Sequence, residues 1–285
     1  MSKPSDPDPP LPQKRPTTSA KAADTIVSVT ARNNNLPAVL ARNPWLIYVL
    51  PLAMFMLVGA LEPKPPAAGA ADDGAQASAW ELPYRYYPLV YTLKIALTVA
   101  AIAFVWPGYR QFPLRLTAWS IAAGVIGAVI WIGLCTLRLE EQLLAPLGLD
   151  TLLGLGTRSA FNPLEQLAGN PAWAYGFLTI RLLGLVIVVP LIEEFFLRGF
   201  LMRFFVRPDW WNVPFGDVNV TALAIGTLVP MAMHPGELLA AAAWFSLITL
   251  LMVKTRNIWD CVAAHAITNL LLGIYVLATG EWSLM

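Results

Sequence analysis

The chain has 285 residues, 57% of them hydrophobic and only 13% charged, with a net charge of +1. A soluble domain carries about 25% charged residues, so this composition excludes an ordinary water-soluble globule and points to an integral membrane protein. The small net charge offers no field for nucleic acid. The two cysteines, Cys135 and Cys261, lie far apart inside apolar runs; they exclude a zinc-finger spacing and read as small buried side chains.

Residues 1–43 are rich in Pro, Ser, Thr, Asn and Lys, without apolar periodicity, and are expected to form a disordered cytoplasmic tail. No apolar stretch precedes a small-residue cleavage site, so the first apolar segment is expected to be a retained anchor. Residues 44–285 then form an integral membrane domain. A hydrocarbon core ~30 Å thick needs about 20 helical residues. The segments that approach this are 45–61, 89–106, 117–137, 175–205, 219–234, 238–253 and 258–279. The pair at 219–234 and 238–253 is short and reads as a hairpin whose tip, MHPGE, stays within the membrane. Two long connections, 62–88 and 138–174, separate the rest, and 138–174 has room for an eighth membrane element. No repeat and no sustained alternation is present. The predicted fold is an all-α polytopic bundle of about seven to eight membrane helices.

Basic residues set the expected orientation. With the N-terminus cytoplasmic and seven crossings, Lys and Arg divide 12 to the cytoplasmic side against 4 (Lys64, Arg85, Arg138, Arg158) to the other, as the positive-inside rule requires. For a bacterial chain this means the inner membrane. Trp45, Trp210, Trp211 and Trp282 fall at segment ends, where an aromatic belt is expected.

The segment PLIEEFFLRGFL, residues 190–201, sets Glu193, Glu194 and Arg198 among Leu, Ile and Phe. A charge near the bilayer centre costs roughly 2.5–3.5 kcal/mol on insertion scales and faces a bundle interior or a wet cavity. Glu194 and Arg198 are four apart and can pair along one face. Glu193 is turned ~100° from Glu194 on a helix of 3.6 residues per turn, and has no basic partner nearby in sequence. It is free to point into a cavity. The pair alone reads equally well as glue between helices. The only two histidines, His234 and His265, also fall in or beside predicted spans, and HAITN places His265 and Asn269 one helical turn apart. Lys94 and Arg181 complete the intramembrane charges; both lie near segment ends and are expected to snorkel or serve structure.

These motifs resemble the CAAX prenyl protease and bacteriocin-processing family of intramembrane proteases. EEFFLR matches its EExxxR signature, and HAITN its HxxxN, following a TRNIWDCVAAH run. His234 stands where the family has FxxxH, although the position four before it is Pro230, not Phe. The resemblance covers about residues 175–279, the expected catalytic core. HPGE and the ending YVLATGEW resemble a subgroup associated with exosortase systems, which would make exosortase components possible partners.

The resemblance implies an intramembrane endopeptidase acting on a membrane-tethered or lipid-modified protein within membrane lipid. Amide hydrolysis needs a base for water and donors for the oxyanion. Glu193 is expected to be the base, His234 to orient the water, and His265 and Asn269 to hold the oxyanion. Arg198 would hold Glu194 and fix the helix rotation. The four groups should line one cavity nearer the cytoplasmic face. No cofactor is required by this chemistry. The alternative is a divalent metal such as zinc, for which Glu193, His234 and His265 are the three candidate ligands; the lack of HExxH favours the metal-free form. The competing function classes are an inactive binding or immunity protein and a transporter, although the paired halves of a transporter are not seen.

Overall fold

The computed structural model describes residues 36–63, 65, 82–139, 142 and 161–284. Residues 1–35 of the expected tail, Lys64, Arg158 and most of the two long connections lie outside these. The described residues form helices α1 (Ala38–Arg42), α2 (Leu46–Gly59), α3 (Tyr87–Tyr109), α4 (Ala118–Leu137), α5 (Pro163–Gln166), α6 (Pro171–Val206), α7 (Val220–Met233), α8 (Leu238–Thr255) and α9 (Ile258–Thr279). All seven predicted apolar segments are helices, and the fold is an all-α polytopic bundle. Leu40 of α1, ahead of residue 44, is fully buried.

Asparagine starts four of these helices, Asn162 capping the short α5 through the N–H of Leu164. The side chains of Asn170, Asn219 and Asn257 accept from backbone N–H groups of Trp173, Ala222 and Trp259, satisfying donors that a helix start leaves open. Among the described residues, five helices are long and apolar enough to cross a membrane; α2 and α7, with 14 residues each, are shorter. Large apolar side chains cover the outside: Leu57, Leu93, Ile121, Val129 and Val220 are all exposed, which is stable only against lipid. Small residues let the helices approach inside. A Cβ at Gly127 of α4 would stand 2.6 Å from the indole nitrogen of Trp244.

The interior is aromatic around α6. Phe195 stacks on Tyr109 of α3 at 3.7 Å between ring centres and packs on Trp259 of α9. Three sequence expectations need correction. Lys94 does not snorkel: it is buried, ion-paired with Glu62 at 2.6 Å, and lies against Phe55 and Tyr91. Arg181 serves structure, as expected, donating to the carbonyl of Phe161 at 2.7 Å. Trp210 and Trp282 are buried packing residues rather than belt residues, whereas Trp45 and Trp211 are exposed. In each case a partner from another segment made burial more favourable than the interface.

The helix ends sort by charge. The loops joining α3 to α4, α6 to α7 and α8 to α9 meet at one face, tied by Asn257 to the carbonyl of Arg115, Trp259 to that of Phe112, and Arg256 to Asp217. This face carries Arg42, Arg110, Arg115, Arg203, Arg207, Lys254 and Arg256. Among the described residues, the opposite face carries Arg85 and Arg138 with Glu62, Glu165, Glu237 and Glu281.

Candidate active site

The site forms where α6, α8 and α9 meet above the end of α7. Two π-helical turns, Gly184–Val188 and Phe195–Leu201, flank the glutamate pair in α6; such turns recur at functional sites. Glu194 and Arg198 are completely buried. One Glu194 oxygen accepts from Arg198 and the other from His265 Nδ1 at 2.9 Å. Arg198 also donates to the carbonyl of Phe245 on α8 at 3.2 Å. The Glu194–Arg198 pair thus ties together α6, α8 and α9. The wider turn at Gly184–Val188 loosens the backbone ladder, and the carbonyl of Leu185 accepts from Asn269 Nδ2 at 2.8 Å.

A cavity of about 330 Å³ is lined by Glu193, His234, His265 and Asn269 together with Glu237, Trp244 and Thr268. The structure therefore brings all four expected groups to one space, with Glu194 and Arg198 behind its wall. Among the described residues, no hydrogen bond or ion pair engages the Glu193 carboxylate. An apolar crevice between α2 and α7, lined by Leu52, Val229 and Met233, also reaches Glu193 and His234 from the side. His265 lies seven residues in from the basic end of α9, on the expected side of the middle, but the cavity lining extends away from the basic face. Its rim is Glu237, Ser283 and Leu284, which belong to the opposite face.

The histidine contacts define their tautomers. His234 Nδ1 lies 2.8 Å from the carbonyl of Pro230. A carbonyl only accepts, so Nδ1 carries the proton and Nε2 of the neutral ring is a lone pair. His265 Nδ1 likewise donates to Glu194, whose charge is set by Arg198, and its Nε2 can donate only when the ring is an imidazolium. The aromatic place left vacant by Pro230 is taken by Phe245 and Trp131, whose rings both lie 5.6 Å from that of His234.

Support missed at the sequence level comes from Trp244 and Thr268. The Trp244 ring stands 4.4 Å from that of His265. Its N–H donates to Thr268 Oγ1, and Thr268 donates to the carbonyl of Gly124. Thr268 is three residues from His265 on the same helical face, so its register was visible; the reach of Trp244 from another helix was not. A zinc site would need three donors converging within bonding reach. Among the described residues no group of three His, Cys, Asp or Glu side chains is so placed, and Glu193, His234 and His265 do not fit a metal in this arrangement.

Fold and site together define a multi-pass helical membrane protein with an enclosed carboxylate, histidine and amide cluster. Residues 175–271, which contain every one of these groups, match the family described as type II CAAX prenyl endopeptidase Rce1-like. The match supports the CAAX protease family and peptide hydrolysis as the class of activity. No curated protein and no solved structure matches the chain significantly.

Proposed function

We propose that this protein is an intramembrane endopeptidase that cleaves a membrane-tethered or lipid-modified protein with a water activated by Glu193. The observation that carries this reading is the convergence of Glu193, His234, His265 and Asn269 on one cavity from separate helices. Water binds between the Glu193 carboxylate and the Nε2 lone pair of His234. Glu193 takes a proton as the water oxygen bonds to the carbonyl carbon. The resulting oxyanion is met by the second N–H of Asn269 and by Nε2 of His265 in the form where that nitrogen carries a proton, the ring being held by Glu194. Glu193 then returns its proton to the nitrogen as the C–N bond breaks. Such a positioned base contributes typically 10²–10⁴-fold. Arg198 and Trp244 act through other groups: one holds Glu194, the other fixes the His265 ring.

The chain would lie in the inner membrane with its N-terminus cytoplasmic, by the charge distribution. Exosortase components remain candidate partners on motif resemblance alone. The test is cleavage of a panel of quenched fluorescent peptides ending in prenylated or acylated cysteine, by parent and Glu193→Gln in detergent. The parent should cleave, and the variant should retain its thermal transition while losing at least 100-fold in rate. Full activity in the variant would remove Glu193 as the base; a folded parent inert on every peptide would count against the peptidase itself.

A further inference from the structure

The side on which the cavity opens has a cause in the lengths of the helices. Of the two hairpin helices, α8 has 18 residues and is long enough to cross, whereas α7 has 14, ~21 Å at 1.5 Å per residue, short of a ~30 Å hydrocarbon core. It starts at the basic face and stops at His234, and α8 turns back at once from Leu238. Helices α4, α6 and α9 have 20, 36 and 22 residues and continue past this tip. The low end of α7 beside these taller helices leaves a well, and that well is the cavity. His234 and Glu237 of the tip form part of its wall, and Trp131 and Leu272 of the taller helices another. The turn Trp282–Leu284 crosses its rim, anchored by Trp282 against Leu178 and Val276.

The opposite end of the bundle carries seven of the nine Lys and Arg found at the two faces among the described residues. The positive-inside rule places that end in the cytoplasm. We infer that the site opens to the exoplasmic side of the membrane, and that its substrate is an exported, membrane-anchored polypeptide presented from that side. The word substrate rests on the peptidase reading; the sidedness does not.

Depth limits what such a substrate looks like. Along α9, Asn269 lies ten residues below Thr279, ~15 Å, and His265 fourteen below, ~21 Å. An extended chain covers ~3.4 Å per residue, so the cleaved bond lies about five residues in from the rim. A segment with about five residues of extended, unfolded chain fits; a folded domain does not.

Single cysteines at Glu281 and Ser283, on the mouth side, and at Arg207, on the basic side, test the orientation directly. The native Cys135 and Cys261 are buried, and the parent supplies the background. Sealed right-side-out membrane vesicles are treated with a membrane-impermeant maleimide before and after permeabilisation. Glu281→Cys and Ser283→Cys should label in sealed vesicles, and Arg207→Cys only after permeabilisation. The reverse pattern overturns the inference. So does a Glu281→Cys that labels while Ser283→Cys stays unlabelled in both conditions, because the cavity would then not open at that rim. This readout needs no proteolysis: outward labelling with no peptidase activity leaves the sidedness standing and removes the proposed function.

Discussion

Replacing Arg198 with leucine tests the element that joins three helices at the site. Arg198 and Glu194 are wholly buried and paired, and Arg198 also donates to the carbonyl of Phe245. Removing one partner of a buried pair costs about 3–5 kcal/mol, because the other charge is left uncompensated. Here Glu194 keeps the N–H of His265 at 2.9 Å, which should hold the loss near the lower figure, about 3 kcal/mol. At 1.36 kcal/mol per factor of ten, that raises the unfolded-to-folded ratio roughly 150-fold. Reversible denaturation of the purified protein in mixed micelles measures it directly. Glu194→Gln combined with Arg198→Gln, which deletes both charges, should recover part of the loss. An Arg198→Leu protein within about 0.5 kcal/mol of the parent, the range of inconsequential surface changes, would mean that the pair does not hold the bundle.

Gly127→Leu places atoms within 2.6 Å of the Trp244 indole and 2.9 Å of Thr268 Oγ1; overpacking of this kind costs typically 1–3 kcal/mol. Cleavage should fall with it, measured on the same micelles, and an undisturbed Trp fluorescence spectrum would count against the contact. Asp260, fully buried, accepts from both the backbone N–H and the hydroxyl of Thr117. Asp260→Ala should lower stability by about 1–3 kcal/mol through unsatisfied donors without altering the pH profile of cleavage; a shifted profile would place Asp260 in the chemistry. Because Glu193, His234 and His265 do not converge as a ligand set, prolonged chelation should leave cleavage unchanged, and loss that zinc alone restores would contradict the water mechanism.

Hydropathy over windows of about 20 residues, together with segment ends, was enough to place the seven apolar helices, because lipid leaves the backbone of a spanning segment no alternative to internal hydrogen bonding. Helical spacing made the Glu194–Arg198 pair legible, and the two-residue contrast between Glu193 and Glu194 followed from the same geometry. The sequence also marked both arms of the hairpin at MHPGE as short; α7 is, whereas α8 is long enough to cross. Relations between segments were decided only in the assembled bundle. Nothing in the chain said that Lys94 would find Glu62, that Trp244 would lock against Thr268 beside His265, or that Asn269 would bind the carbonyl of Leu185. The tautomers of both histidines depend on which acceptor each ring meets. The opening of the cavity, expected laterally or towards the basic face, is inferred instead from the depth of the hairpin tip relative to α4, α6 and α9. Such contacts link residues many positions apart, and their geometry is set when helices pack side by side, which local periodicity does not encode.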